Sequence, residues 1–394
     1  MYLKQHDALA GIPADAWNRL DGTDSPFLRY EFLYALEKTN CVCPKTGWIP
    51  QHLALYELAD EPDSLIGAIP LYIKNHSYGE YIFDWAWADA YDRSGLNYYP
   101  KLSVAIPFTP VTGNRLLISG NHDREAVSKL LIDGALSVAE KYQASSIHWL
   151  FTTKEESALL QQHRHLFRTG YQFHWHNNTY NNFDHFLEGL SAQKRKKIKR
   201  ERRQVRDANI TMETITGKEL HDSHWDRFYG FYTNTIQKHG AIPYLNREFF
   251  HEIGRTMPDS VVLIFAYQDD KVIAGSLNYK SDTALYGRYW GSLGSYHSLH
   301  FETCYYRAIE FCIENRLKRF EAGAQGGHKL SRGFLPVEIY SAHWLDHPEF
   351  NKAVAEYIER EQNDIEYQID ELNERSPFKH KTSSGGQANH VSVK

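Results

Sequence analysis

The sequence predicts a mixed α/β protein built from two tandem copies of one fold. Three observations predict it: an octapeptide that recurs in the second half, an ordered series of elements that follows each copy, and a length and composition suited to two packed domains. The chain has 394 residues, 42% hydrophobic and 24% charged. That is enough apolar material for sizeable cores, and it excludes wholesale disorder.

Pro26-Phe27-Leu28-Arg29-Tyr30-Glu31-Phe32-Leu33 reappears as Pro243-Tyr244-Leu245-Asn246-Arg247-Glu248-Phe249-Phe250, and each copy opens an amphipathic helix. A strand follows, HLALYEL (52–58) in the first half and VVLIFAYQ (261–268) in the second. Next come a turn and a glycine-bearing strand, IGAIPLYIK (66–74) against IAGSLNYK (273–280). An aromatic strand is expected at YIFDWAW (81–87) and at ALYGRYWG (284–291). A long helix is expected over 123–142 and over 299–316, each leading into a short strand, SSIHWLF (145–151) or KRFEAGA (318–324). Three strands, a helix and a strand, preceded by helices, make a mixed sheet in which the late helix crosses between neighbouring strands. The expected units are a first lobe over 1–175 and a second over 176–375, the latter opening with a basic helix (182–207). A charged helix is expected over 349–374, and a disordered tail over 376–394.

Net charge is −5, so any contact with nucleic acid must come from a local patch. Cys41, Cys43, Cys304 and Cys312 are too few and too irregularly spaced for a disulfide framework or a paired zinc site, and no HExxH or close ligand set appears. No metal site is expected. The start has no charged segment followed by an apolar core. The longest apolar run, Val261 to Tyr267, falls far short of the ~20 residues that cross a bilayer. No transmembrane segment and a cytoplasmic location are therefore expected.

The stretch Phe320–Phe334 is dense in chemistry. Glu321, Gly323 and Gln325 alternate, so on a strand they share one face, and His328, Lys329 and Arg332 follow at once. Transfer of an acyl group to an amine needs a base, which Glu321 or His328 can supply. It also needs donors for the tetrahedral oxyanion, which Gln325, Arg332 or backbone N–H groups can supply. The plainer alternative pairs Glu321 with Arg332 to pin the loop and leaves His328 solvated. The run Lys194 to Arg203, with Lys194, Arg195 and Lys197 near its start, holds Glu201 as its only acid. Like charges a helical turn apart repel, so a polyanion would stabilise this run. In the first half, Pro100, Pro107 and Pro110 argue for an edge or a groove-lining loop, and they place Lys101 and Thr109 in a substrate groove.

Five stretches, YYPKLSVAIPFTPVTGNRLL (98–117), FDHFLEGLSAQKRKKIKRERRQV (183–205), YGRYWGSL (286–293), HFETCYYRAIEF (300–311) and FEAGAQGGHKLSRGF (320–334), resemble a family of N-acyltransferases assigned to peptidoglycan biosynthesis/recognition. They are FemAB-like relatives of the Fem-type aminoacyltransferases. The resemblance implies a tandem GNAT (acyl-CoA N-acyltransferase-like) fold. It also implies transfer of an acyl or aminoacyl group, from acyl-CoA or aminoacyl-tRNA, to a primary amine on a small molecule or cell-wall precursor. The 320–334 loop is also similar to leucyl/phenylalanyl-tRNA–protein transferases, although Glu321 and Gln325 stand four apart here rather than two. A GNAT fold holds its donor where two strands splay beside a helix N-terminus, which implicates Arg288, Trp290, His300 and Glu302. With Lys194, Arg195 and Lys197 of the basic helix, and Lys329, Arg288 is expected to meet donor phosphates. Gly291 and Gly294 come too early for the coenzyme A signature. The competing class is a non-catalytic GNAT-like module that binds RNA or a cell-wall precursor.

Overall fold

The computed structural model describes residues 1–59, 61–324 and 326–379. The first half contains β1 (Tyr2–His6), α1 (Ala14–Asn18), α2 (Tyr30–Lys38), β2 (Trp48–Pro50), β3 (His52–Tyr56), β4 (Leu65–Ile69), β5 (Leu71–Lys74), α3 (Trp85–Arg93), β6 (Lys101–Val104), β7 (Leu117–Ile118), α4 (Arg124–Tyr142), β8 (Ser146–Thr152), α5 (Lys154–Gln162) and β9 (Leu166–His176). The second contains α6 (Phe183–Gly189), α7 (Ala192–Asp207), β10 (Ile210–Thr216), α8 (Asp222–Lys238), α9 (Arg247–Thr256), β11 (Val261–Gln268), β12 (Lys271–Lys280) and β13 (Ala284–Ser292). It continues with α10 (Leu299–Phe301), a π-helical turn (Glu302–Tyr306), α11 (Arg307–Glu314), β14 (Arg319–Glu321), β15 (Leu335–Leu345) and α12 (Pro348–Glu374).

One large sheet runs through both halves in the order β10-β11-β12-β13-β14-β9-β15-β8-β6-β5-β2, and a smaller sheet has the order β1-β3-β4-β7. Pro70 separates β4 from β5 and sends them into different sheets, since it cannot continue a ladder. In each half the late helix crosses to a parallel strand: α4 lies between the parallel strands β6 and β8, and α11 between β13 and β14. The halves exchange their last strands. β9 pairs with β14 and β15, whereas β15 pairs with β8, so each half completes the sheet of the other.

The repeated octapeptide packs against itself. Phe32 and Phe249, equivalent positions in the two copies, meet edge-to-face at 5.7 Å, and Phe27 packs on Tyr279 and Tyr286. Each fully buried ring contributes about 1.5–3 kcal/mol by desolvation, with roughly 0.5–1.5 kcal/mol more for a well-set aromatic pair. α12 straps the halves together. Val354 and Ile358 pack with Trp87 and Tyr91, Leu372 joins the core beneath α6, and Glu361 takes both N–H groups of Arg168 on β9 at 2.6 and 2.7 Å.

Several expectations need correction. YIFDWAW is not a strand: 81–84 is irregular and Trp85 opens α3, because Trp87 and Tyr91, four apart, share a buried helical face. The basic helix breaks at Leu190–Ser191, where Leu190 is extended and pairs with Phe378. Of the tail beyond Ser376, residues 377–379 bond back to Gly189–Ser191, and residues 380–394 lie outside the described residues.

Candidate functional site

β13 and β14 pair only over Ala284–Tyr286 and Arg319–Glu321, then diverge. A bulge at Leu277/Asn278 bends β12 beside the opening. In this wedge lies a cavity of about 120 Å³. It is lined by Ser276 and Asn278 from β12, Gly287–Trp290 from β13, His300, Cys304 and Tyr305 from the crossing helix, and Ala322. Cys304 and Tyr305 belong to the π-helical turn, whose wider coil redirects side chains and is common at functional sites.

His300 meets Trp290 edge-on at 5.3 Å, and the Tyr305 hydroxyl is 2.9 Å from Nε2 of His328. Burial, reinforced by His328 and Arg332, holds His300 down at about 4. Burial first, then Arg332 and Lys329, also lowers His328. Both rings are therefore neutral bases near pH 7. Lys329 is 2% exposed and donates to the Gly323 carbonyl at 2.7 Å. Gly323 sits at φ 81°, a conformation that turns this carbonyl toward the lysine and that a Cβ would strain. Burial pulls the Lys329 ammonium down to about 8, while the nearby Cys304 favours the charge.

Arg288 lines the cavity, but its guanidinium donates to the Phe108 carbonyl and stacks on Tyr289 at 5.2 Å. Gln172 on β9 likewise donates to the Pro110 carbonyl at 3.1 Å. These two bonds clamp the proline-rich 107–111 loop of the first half onto the wedge, so Arg288 anchors the halves rather than standing free for a phosphate. Gly291 also has a packing reason. A Cβ there would lie 2.0 Å from the Phe231 carbonyl oxygen, so glycine lets α8 approach β13.

Other expected residues are engaged elsewhere. Glu321 is buried outside the cavity lining. Its Oε1 accepts from Arg319 at 2.8 Å, and its Oε2, without a hydrogen-bond partner among the described residues, is 3.8 Å from His174. The alternative Glu321–Arg332 pair does not form. Arg332 is 1% exposed, bonds Glu201 of α7 at 2.9 Å and Tyr306 at 3.0 Å, and lies 3.4 Å from the Phe301 ring, so it cannot reach an oxyanion in the wedge. Glu302 is bound by Arg202 at 2.9 Å and is an anchor for α7, not a groove residue. Lys101 is fully buried between Glu80 and Asp84, and Thr109 is buried and bonds the Pro107 carbonyl, so neither lines a groove. A loop does not contain Lys101 because β6 is an interior strand of the large sheet. Gln325 lies outside the described residues.

These inward bonds orient α7. Ile198, Glu201 and Val205 are buried, and Lys197 approaches Ser331 at 3.5 Å, beside the cavity loop. Lys194 and Arg195 are half-buried in the first turn, while Lys196, Lys199, Arg200, Arg203 and Arg206 face outward. Among the described residues only Lys199 of these five has a carboxylate partner, Asp184 at 3.5 Å. Sequence reasoning missed the anchoring pairs of Glu201 and Arg202, and it missed Tyr305, Cys304 and His174. A lone acid in a basic run was the available signal for Glu201.

Among the described residues no group of three His, Cys, Asp or Glu side chains is placed to hold a metal, and no helix is long and apolar enough to cross a membrane. The FemAB-like family, described as peptidoglycan biosynthesis/recognition, matches residues 8–380. No curated protein matches. Among solved structures the chain is similar to FemX, with 11% identity and a TM-score of 0.54 over 90% of this chain and 100% of that one. It is also similar to the C-terminal domain of a putative lysylphosphatidylglycerol synthetase from Agrobacterium fabrum, with 8% identity and a TM-score of 0.51 over 86% and 92%. A tandem GNAT protein from the clavulanic acid biosynthesis pathway aligns at 9% identity and a TM-score of 0.41 over 77% and 84%. The fold is a duplicated mixed α/β fold like that of FemX, and with the match spanning nearly its whole length the chain belongs to the FemAB-like family of peptidoglycan biosynthesis/recognition.

Proposed function

We propose that the protein is an aminoacyltransferase that carries an aminoacyl group from its tRNA ester to a primary amine of a cell-wall precursor, with the reaction in the wedge between β13 and β14. The observation that carries this reading is the outward cationic face of α7, which is docked by its own buried pairs and leads to the loop bearing His328 and Lys329. Such a face suits a phosphate backbone. The helix N-terminus beside the wedge is a poor pyrophosphate cradle. The Leu299, Phe301 and Glu302 amides already bond the Tyr296 and Ser298 carbonyls, and Glu302 adds negative charge to the first turn. This favours tRNA over acyl-CoA as donor.

In the proposed reaction the amine nitrogen attacks the ester carbonyl carbon, and the Lys329 ammonium stabilises the oxyanion that forms. Nitrogen's proton leaves through the Tyr305 hydroxyl to Nε2 of His328, which takes the base role. Collapse breaks the ester C–O bond, leaves the amide, and returns the proton to the departing ribose hydroxyl.

Binding of charged tRNA and of acetyl-CoA across a salt series tests the donor. Charged tRNA is expected to bind with a steep salt dependence. Neutralising Lys196, Arg200 and Arg203 to Gln is expected to flatten the log–log slope by about two to three, one phosphate contact each. Salt-insensitive tRNA binding, or acetyl-CoA binding that the triple substitution leaves intact, would count against this donor. If neither donor binds, the non-catalytic module is the better account.

A further inference from the structure

A second concavity lies at the far end of the first half and shares no lining residue with the wedge. It is a groove of about 820 Å³ between the C-terminal turns of α4, the turn after α5, the end of β15 and the segment that follows α3. Its volume is in the range of small-ligand sites, several times that of the wedge cavity.

The groove contains a buried polar group with nothing to bind. Tyr91 is 3% exposed, its ring is held by Phe350 at 3.9 Å and Tyr98 at 5.2 Å, and its hydroxyl has no partner among the described residues. Most buried polar groups avoid an unmade hydrogen bond of this kind. Nδ1 of His347, another lining residue, is likewise buried and unpartnered. Two unmet groups in one groove point to a ligand that supplies their partners.

The lining specifies the chemistry of that ligand. The half-buried Trp344 indole gives a flat apolar surface, and Asn97 and Gln143 give planar amides that both donate and accept. Glu140 and Asp346 outnumber Arg164 by one, so the lining is rich in carboxylate acceptors beside a single guanidinium donor. An aromatic platform with planar polar side chains and carboxylate acceptors around it matches a pyranose ring, whose C–H face stacks while its hydroxyls bond in pairs. An anion or a cation would meet a like charge here. We propose that this groove is a binding site for a neutral oligosaccharide, with Trp344 stacking one sugar ring and Tyr91 and Asp346 bonding its hydroxyls. The site is independent of the transfer reaction, and it gives a cell-wall protein a means of holding glycan outside the wedge.

Tetra-N-acetylchitotetraose is the probe, titrated into the full-length protein and followed by tryptophan fluorescence and calorimetry. Saturable binding is expected, weakened about fivefold to tenfold by Tyr91→Phe, the loss of one neutral hydrogen bond, and by a similar factor in Asp346→Asn. Tyr91→Phe keeps the ring packing. Should it fail to fold, Asp346→Asn and Arg164→Gln, both at exposed positions, carry the test. Absence of binding would overturn the proposal. So would binding that all three substitutions leave unchanged, or binding lost in Trp290→Ala, which would place the sugar in the wedge. Because charged tRNA is assayed separately, failure here is distinguishable from failure of the transfer reading.

Discussion

Lys101→Met is expected to destabilise the fold by about 3–5 kcal/mol, the usual result of leaving buried charges without their partner. Lys101 and Asp84 are buried, as is Glu80. The ammonium donates to Ser77 at 2.8 Å, to Glu80 at 2.7 Å, and to Asp84. Ser103 completes Glu80 at 2.9 Å, Tyr98 donates to Asp84 at 2.6 Å, and the imidazole pair His148–His343 backs the cluster at 2.7 Å. Burial opposes ionisation of Asp84, but Lys101 and then His148 outweigh it and hold the carboxyl well below its ordinary range. Burial likewise opposes the Lys101 charge, and Glu80 and Asp84 overcome it, so the lysine is raised.

The signs of these shifts set a pH window. Depressed Asp84 contributes stability above its unfolded pKa of about 4, which is lost as pH falls through the folded value. Raised Lys101 contributes below about 10.4, and the contribution is lost as pH rises through its folded value. Asp84 and Lys101 should therefore contribute fully between roughly pH 4 and 10. They are opposed by Glu80, which burial raises and whose contribution is lost as pH rises through its folded value. Urea melts of the wild type and Lys101→Met should differ most in that window. Adding Glu80→Gln and Asp84→Asn to Lys101→Met should recover part of the loss, because no charge is then stranded. A cost under 1 kcal/mol at pH 7 would show that water, not Lys101, satisfies the two carboxylates.

Lys329→Met should lower turnover about 10²–10³-fold with little change in tRNA binding, the loss typical of one oxyanion donor. Its ammonium donates to the Gly323 carbonyl, next to the cavity-lining Ala322, and burial brings its pKa down to about 8. After correction for the fraction of free amine, the wild-type rate should fall as pH rises through about 8, when the cation is lost. Lys329→Arg keeps its charge to much higher pH, so that alkaline limb should move upward. Release of the aminoacyl group from charged tRNA in the presence of a lysine-bearing cell-wall peptide measures both. A loss below tenfold in Lys329→Met, or an unmoved limb in Lys329→Arg, would remove Lys329 from the oxyanion role.

Much of the architecture was legible in local pattern. The octapeptide announced the duplication, and its two phenylalanines turn out to touch across the pair of halves. VVLIFAYQ is β11, and the expected 123–142 helix begins one residue later as α4. In the second half Arg288, Trp290, His300 and Glu302 were grouped by the splayed-strand expectation; the first three line the wedge, and Glu302 instead pairs with Arg202. The helix α3 was misread because alternating and four-spaced aromatics coincide in so short a stretch as Asp84–Tyr91. β9 and β15 were overlooked because their partners come from the opposite half, and nothing in either strand names that partner.

The sequence by itself determined the mixed α/β class and the duplication. Those follow from hydrophobic period and turn chemistry, which act over a few residues. Only the tertiary structure decided what each charged residue does. Arg332 was expected to serve Glu321 or an oxyanion, and it instead joins Glu201, 131 positions away. Glu302 binds Arg202 across 100 positions, and Lys101 is enclosed by acids from the loop before it. A buried charge takes whichever counter-charge the packed chain brings within about 3 Å, because leaving it unpaired costs several kcal/mol. That choice is made by long-range contact and not by spacing.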